Sequence, residues 1–423
     1  MQTTASLTRH YLRWLPLSFL CGLLAGISAT VFLNSLAWIT EFHEQHAWAL
    51  LAFLPIGGFL IGLLYHYFGK EASGGGHLIL DEIHEPKNIL PVRMAPLVLI
   101  GTLMTHLFGG SAGREGAAVQ ISASLSAQLN HFFKELTSDE KKILLIAGAG
   151  AGFAAAIGTP WAGVLFGMEV VWVGRLKPFA VVECIIASFT GCFVTHLLHA
   201  HHSIFPSFEL PDFQISVFAS VILASILFGL IATLFVRFTH LIENLNRRFI
   251  KWPPLRPVFA GFILIGLTYW VGSLRYNGLG IAETQDAILH PANLRDPFLK
   301  TLFTSLTVGS GFKGGEFVPL VFIGATLGSF LSILLPVSCA LLGAIGFASV
   351  FGAAANTPIT CAVMAMELWG WKIGIYAFPA CWVAYYCSAH SGIYHTQRIS
   401  NRKDEGMIGF PRRIFSSFRR NEK

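Results

Sequence analysis

The residues best suited to chemistry lie in GGSAGREGAAVQ, residues 109–120, whose one acidic side chain is Glu115. An apolar segment, residues 94–108, runs into this stretch and a weakly amphipathic one leaves it. The glycine-rich run therefore predicts a helix break at membrane depth. A carboxylate there costs at least about 2.5 to 3.5 kcal/mol even on the lenient insertion scale, so such groups usually mark a pathway or a relay. The structural alternative is a helix-packing glycine motif whose glutamate caps a neighbouring backbone. Two more glycine-rich junctions, SGGGHLI (residues 73–79) and GSGFKGGEFVP (residues 309–319), share the pattern of backbone freedom followed by an apolar run. Such junctions expose N–H groups at the positive end of a helix dipole, and glycine lets a bound ion approach the backbone. A single one is more often close packing; three converging on one point would make an anion site.

The elements that must position these residues are membrane helices. Of 423 residues, 54% are hydrophobic and only 12% charged, with a mean hydropathy of +0.61. Soluble domains carry about 25% charged residues, so the chain reads as an all-α polytopic membrane protein. Many of its apolar runs stop at Gly, Pro or a charge before reaching the about 20 residues of an uninterrupted span. Short, broken helices point to a transporter or channel core, where unwound backbone lines a cavity. The run at residues 14–40 is too long for a signal-peptide core and is expected to be the first membrane helix. Arg9 and Arg13 precede it, while Arg398, Arg402, Lys403, Arg412, Arg413, Arg419, Arg420 and Lys423 follow the last span. By the positive-inside tendency both termini are cytoplasmic, and the basic tail is read as an anchor on anionic lipid rather than a nucleic-acid patch.

Several function classes fall away. The seven cysteines show no CxxC spacing, which argues against a disulfide framework or a zinc site. His196, His199, His201 and His202 cluster without Cys or carboxylate partners and are read as solvated loop residues. No HExxH or Walker pattern appears, so the chain is not expected to be an enzyme, and no cofactor or metal is expected.

An internal repeat organises the chain. GTPWAGVLFGMEVVW and NTPITCAVMAMELWG align at an offset of 198 residues, pairing Thr159 with Thr357 and Glu169 with Glu367. Gly110-Ser111 ahead of Glu115 and Gly309-Ser310 ahead of Glu316 recur at an offset of 199. The expected organisation is a first transmembrane repeat at residues 1–198, a linker at 199–213, a second repeat at 214–399 and a basic tail at 400–423. Matching places in the repeat favour a structural role for Glu169 and Glu367, at helix ends or a dimer interface, over transport.

Taken together these motifs resemble the CLC family of chloride channels and proton-coupled anion antiporters. GREGAAVQ is similar to its gating-glutamate motif and GGEFVP to its GxFxP motif, while SGGGHLI falls where the family carries GSGIP. The TP-x7-ME helix and SGIYHTQRI (residues 391–399) also fall in family order, so the resemblance covers almost the whole chain. HLILDEIHEP (residues 77–86) with LFGGSAGREG looks closest to the fluoride-exporting branch. The resemblance implies a CLC-type fold of two inverted repeats of short, broken, tilted helices, roughly eighteen per subunit. It also implies a homodimer in a bacterial inner (plasma) membrane, each subunit with its own anion pathway.

Residue by residue, Glu115 matches the external gating glutamate, which competes with the anion and leaves when protonated, coupling anion export to proton entry. Tyr394 falls on the tyrosine whose hydroxyl reaches the central anion; an interfacial anchor is its alternative. N–H groups around Gly75, Gly76, Gly116, Phe317 and Val318 are the implied anion donors. Arg114 and Lys313 either raise the local positive potential or snorkel to the interface. Gly76 stands where chloride members carry Ser and the fluoride branch more often Asn or Met. Val170 stands where the inner proton-relay glutamate of chloride exchangers falls, and Val318 where a Thr is expected. HLILDEIHEP, Glu316 and Val170 point to fluoride, with Glu316 in selectivity or the proton path; Gly76 and Val318 point away from it. A fluoride/proton antiporter and a chloride/proton antiporter or passive chloride channel both remain open.

Overall fold

The computed structural model describes residues 2–132, 136–173, 176–388 and 392–399. The basic residues from Arg402 onward lie outside them. The described residues form seventeen α-helices. The first half contains α1 (Gln2–Gln45), α2 (Ala47–Leu51), α3 (Leu54–Phe68), α4 (Gly76–His84), α5 (Met94–Leu107), α6 (Glu115–Phe132), α7 (Ser138–Ile157), α8 (Pro160–Glu169) and α9 (Val181–Leu197). A stretch without helix, residues 198–214, leads to the second half. That half contains α10 (Ile215–Phe249), α11 (Arg256–Val271), α12 (Ile281–Leu289), α13 (Arg295–Gly309), α14 (Phe317–Leu331), α15 (Cys339–Ala355), α16 (Pro358–Trp369) and α17 (Gly374–Cys387). The only pleated element among the described residues is a two-residue parallel pairing of β1 (Trp172–Val173) with β2 (Arg398–Ile399).

Three stretches are long and apolar enough to cross a membrane by length and composition: Arg13–Gln45, Ile215–Phe249 and Pro253–Val271. The helices between them are shorter, as the interrupted apolar runs predict. Local chemistry sets their ends. Pro160 and Pro358 open α8 and α16, where a missing N–H is harmless. Thr137 and Glu140 form a capping box at the start of α7. Asn356 closes α15 in the left-handed conformation that asparagine tolerates.

The core is built on α7 and α15, buried all round from Ile143 to Ile157 and from Leu341 to Ala355. All-round burial explains why their apolar pattern shows no polar stripe. Glycines let α14 lie directly on α15: a Cβ on Gly324 would meet the Gly346 carbonyl oxygen at 2.0 Å, and one on Gly328 the Leu342 oxygen at 2.1 Å. Without a hydrophobic driving force between helices in lipid, such close backbone packing supplies the association energy. Cys21, Cys184, Cys361 and Cys381 are buried, and all seven cysteines are free.

The two halves cap each other's helices. Glu169, at the end of α8, accepts hydrogen bonds from the N–H of Ile359 (3.0 Å), the N–H of Thr360 (2.7 Å) and the Thr360 hydroxyl (2.6 Å) at the start of α16. Glu367, in the last turn of α16, accepts from the N–H of Trp161 (2.9 Å) and Ala162 (2.8 Å) at the start of α8. The equivalent residues of the two caps, Glu169 and Glu367, Trp161 and Ile359, Ala162 and Thr360, each stand 198 residues apart, the offset of the paired strings. Neither Thr159 nor Thr357, the residue ahead of each helix, caps it with its own side chain. The carboxylate of the opposite half does so, favoured by the helix dipole.

Removing one of these acids leaves buried donors unpaired, at about 1 to 3 kcal/mol each. Glu169→Ala is expected to lower the thermal midpoint of the detergent-solubilised protein more than Glu367→Ala, because Glu169 is buried and serves three donors while Glu367 is half-buried and serves two. Equal midpoints for both variants and the unmodified chain would count against the capping role.

Candidate functional site

Two helix breaks meet in the middle of the molecule. The α5–α6 break and the α13–α14 break are joined by a reciprocal backbone pair: Gly113 N–H donates to the Gly315 oxygen at 2.6 Å, and Gly315 N–H donates to the Gly113 oxygen at 2.7 Å. Glycine is required here by proximity. A Cβ on Gly315 would lie 2.8 Å from the Gly116 nitrogen, and one on Gly113 would lie 3.0 Å from the Val318 nitrogen. A second reciprocal pair frames the first: Ser111 N–H donates to Thr307 Oγ1 at 3.1 Å, and Lys313 N–H donates to Thr105 Oγ1 at 3.2 Å. The equivalent residues of the two bonds, Ser111 and Lys313, and Thr105 and Thr307, are 202 residues apart, as are Gly113 and Gly315. The Gly-Ser match at an offset of 199 is therefore not the structural equivalence; Ser111 corresponds to Lys313, and Glu115 to Phe317 rather than to Glu316.

The bridge brings the N-termini of α6 and α14 together. Among the described residues, the N–H groups of Gly116, Ala117, Phe317 and Val318 donate no hydrogen bond. Glu115 is the first residue of α6 and is buried. Its carboxylate is held loosely, by the Arg114 N–H and the Arg114 Nε, each at 3.3 Å. Arg114 is buried as well and donates a further bond to Ser203 Oγ at 2.9 Å. Arg114 is thus an inward-facing partner of Glu115, not a residue reaching for the membrane surface. Lys313 also faces inward, its ammonium 4.1 Å from the centre of the Tyr65 ring.

Two spaces adjoin at the head of α6. One is a cavity of about 820 Å³, lined by Gly75, Gly76, Gly116, Gln120, Glu316 and Tyr394 among others. The other is a small crevice of about 10 Å³, lined by Arg114, Glu115, Ser203, Phe317 and Val318 with apolar neighbours, so that Glu115 lines the crevice and the next residue, Gly116, the cavity. The eight residues singled out in the sequence therefore fall into two groups. Gly75, Gly76, Gly116, Glu316 and Tyr394 share the cavity, whereas Glu115, Phe317 and Val318 line the crevice.

Within the cavity the roles differ from those the glycine-rich strings suggest. Gly75 has φ +55° and ψ −130°, a conformation that only glycine adopts cheaply, and its N–H is already given to the Ala72 oxygen at 3.2 Å. Gly75 shapes the entry to α4; it is not a free donor. Gly76 carries an N–H with no partner among the described residues, and a Cβ there would rest 3.4 Å from the Tyr394 ring, an ordinary contact. Tyr394 is set in place by the segment around it. Ile393 N–H bonds to the Ala354 oxygen at 2.9 Å, and the Gln397 amide donates to the oxygens of Val170 (2.8 Å) and Ala355 (2.9 Å). Glu316 precedes α14 and faces the cavity; its backbone oxygen accepts from the Leu320 N–H at 3.0 Å, while its carboxylate makes no hydrogen bond or ion pair among the described residues. Val170 is buried in the apolar core, so no ionisable group stands there.

The histidines His196, His199, His201 and His202 line a separate recess of about 490 Å³, where His202 Nε2 lies 2.8 Å from the Ala155 oxygen. Among the described residues no group of three or more His, Cys, Asp or Glu is placed to hold a metal ion. Sequence reasoning missed three features: Gln120, whose side chain reaches the wall at Gly75; the Ser203 arm of Arg114; and the histidines His77, His240 and His395, which share the large cavity. Only Gln120 had a signal, as the last residue of the Glu115 motif.

Residues 57–389 match the family model described as voltage gated chloride channel. A chloride/fluoride channel protein of Pseudomonas syringae pv. tomato is 44% identical over 398 residues, which is 92% of this chain and 87% of that protein. An H+/Cl− exchange transporter of Vibrio cholerae is 26% identical over 383 residues, covering 83% of this chain and 81% of its own. The crystal structure of a CLC-type fluoride/proton antiporter matches with a TM-score of 0.88 at 32% identity, covering 92% of this chain and 98% of that one. A slow cyanobacterial Cl−/H+ antiporter matches with a TM-score of 0.77 at 21% identity, a likeness of fold.

The two adjacent glycines of α4 separate conformational need from space. Gly75→Ala forces a side chain into a positive-φ conformation and is expected to cost about 1 to 3 kcal/mol, whereas Gly76→Ala is expected to stay within about 0.5 kcal/mol, the range of a substitution without such a constraint. Thermal unfolding of the two purified variants, followed by tryptophan fluorescence, reads the difference. Equal loss in both would remove the conformational argument.

Proposed function

Because the chain belongs to the voltage-gated chloride channel family, we propose that it is a proton-coupled antiporter that exports fluoride, with Glu115 as the protonatable gate of the anion path. The observation that carries this reading is the position of Glu115, at the seam between cavity and crevice, next to four unpaired N–H groups. An anion within about 4 Å of the ionised carboxylate would meet a repulsion of about 4 kcal/mol at an effective dielectric of about 20. That is roughly a thousandfold in occupancy. The site therefore holds the carboxylate or the anion, and protonation of Glu115 decides which. Its 3.3 Å contacts to Arg114 are weak enough to be given up.

Free N–H groups at Gly76, Gly116, Phe317 and Val318 supply the donors, with the Tyr394 hydroxyl on the cavity side. Fixed donors in a narrow passage offset the dehydration cost of a small, strongly hydrated anion such as fluoride. Glu316, unpaired and facing the cavity, takes the proton from the other side, a role that Val170 cannot fill. The relatives named chloride/fluoride channel and fluoride/proton antiporter support this substrate and this coupling. Gly76 and Val318 depart from the fluoride branch, and a second reading is chloride/proton exchange, which the H+/Cl− exchange transporter of V. cholerae supports.

The finer setting is part of the same proposal. The protein sits in the bacterial plasma membrane with both termini cytoplasmic, on anionic lipid. The large cavity opens to the cytoplasm, since Arg247, Arg248 and Lys251 crowd the same end of α10. Exposed apolar side chains on α9, including Phe189, Phe193 and Leu197, provide a face for a second subunit. The repeats divide at residues 199–213.

Reconstitution in liposomes, with fluoride, chloride and proton movement recorded together, tests the reading. Fluoride efflux opposed by proton flux and exceeding chloride efflux is expected; equal permeation of the two anions would end the selectivity claim. Glu115→Gln is expected to abolish proton movement, and unchanged proton flux in that variant would remove Glu115 from the mechanism.

A further inference from the structure

Three imidazoles from three separate elements meet at the wall of the large cavity. His240 of α10 and His395 of the C-terminal segment stack with ring centroids 3.8 Å apart and planes 32° apart. His77 of α4 lies on the other side of His395, at 5.0 Å and 39°. His77 Nδ1 is buried without a hydrogen-bond partner among the described residues. The Thr396 hydroxyl bonds to the His77 oxygen at 3.1 Å, tying the C-terminal segment to α4 beside the stack. His395 Nε2 lies 3.8 Å from the Glu243 carboxylate, which is held in turn by Arg247 at 2.6 Å. All three rings line the cavity that also holds Glu316 and Tyr394.

We infer that His77, His240 and His395 form a proton station that exchanges protons, through cavity water, between Glu316 and the aqueous mouth of the cavity, releasing them there as fluoride is exported and loading them there when the exchange runs in reverse. The inference rests on the antiport reading given above and names its inner proton exit.

The geometry suits this task. At about 30 Å³ per molecule, the cavity has room for about two dozen waters, enough to link rings and carboxylate without direct contact. Two imidazolium charges about 4 Å apart repel by about 4 kcal/mol at an effective dielectric of about 20, so the stack loads one proton at a time. Glu243 draws that proton to His395, while Arg247 keeps Glu243 from holding it permanently. The other charged groups facing the stack are Asp81 on α4, Glu316 and Lys313 across the cavity, and Arg256 at its rim. The transfer balances simply: in export an imidazole nitrogen gains the proton of the Glu316 carboxyl group and the imidazolium gives it up to water at the mouth, and in reverse the same two steps run backwards. A metal site does not account for the cluster, since among the described residues no such group is placed to bind one. Imidazole is the side chain whose ordinary titration lies nearest physiological pH, which suits a group that must load and unload in each cycle.

The full chain in liposomes, run in reverse exchange so that protons enter from the cavity side, with pH set on that side, tests the station. The triple variant His77→Gln, His240→Gln, His395→Gln is expected to carry protons about tenfold more slowly than the unmodified protein near pH 7.5. The deficit should close toward about pH 5.5, where protons reach Glu316 directly at adequate rates. The fluoride-to-proton ratio should not change, and free imidazole in the cavity-side buffer should restore the rate. A deficit equal at every pH and insensitive to imidazole would mean a merely structural role, and a rate matching the unmodified protein throughout would overturn the station as well. If the triple variant does not fold, His395→Gln alone, on the exposed side of the stack, serves for the same pH and imidazole comparison. If the unmodified protein moves fluoride without protons, the antiport reading fails; if it couples normally and only the histidine variants are silent, this inference fails alone.

Discussion

Two peptide hydrogen bonds between Gly113 and Gly315, at 2.6 and 2.7 Å, hold two helix N-termini face to face in the interior. Each terminus carries about half a positive elementary charge and several unpaired N–H groups. Bringing two of them together without water is unfavourable unless negative charge is supplied. Glu115 at the head of α6 and Glu316 at the head of α14 supply it. The glycines, the Thr105 and Thr307 hydroxyls that brace the bridge, and the lack of side chain at Gly116 all follow from this one juxtaposition. Positive helix ends made from backbone face each other, and the two carboxylates are the negative groups placed beside them.

The chain holds four glutamates near helix starts of opposite halves, and hydrogen-bond geometry sorts them. Glu169 and Glu367 each take two backbone N–H groups within 3.0 Å and are fixed. Glu115 has two contacts at 3.3 Å, and the Glu316 carboxylate has none among the described residues. The first pair is structure and the second is free to move. Sequence spacing treats all four as repeat-related acids; only the distances to their donors separate frame from machinery.

The fold was largely legible from the chain because its constraint is compositional. Apolar runs cut short by Gly and Pro predict short helices, and the TP-x7-ME repeat predicts two related halves that the structure pairs residue for residue. Register at the bridge was less legible: the Gly-Ser strings suggested an offset of 199, while the contacts use 202, because identical dipeptides do not reveal an insertion between them. Glu115 could be read from a carboxylate in apolar surroundings, and Gly75 from its string, but not that its N–H is already spent on Ala72. The stack of His77, His240 and His395 was invisible for a simpler reason. Its members are more than 150 residues apart, and the strings that hold His77 and His395 drew attention to other residues.

The exchange of caps between α8 and α16 makes the two halves mutually dependent. Each carries the carboxylate that finishes a helix of the other, and neither finishes its own. Separated between α9 and α10, both would be left with open helix termini. The swap works as a clasp that closes only when both halves are folded together.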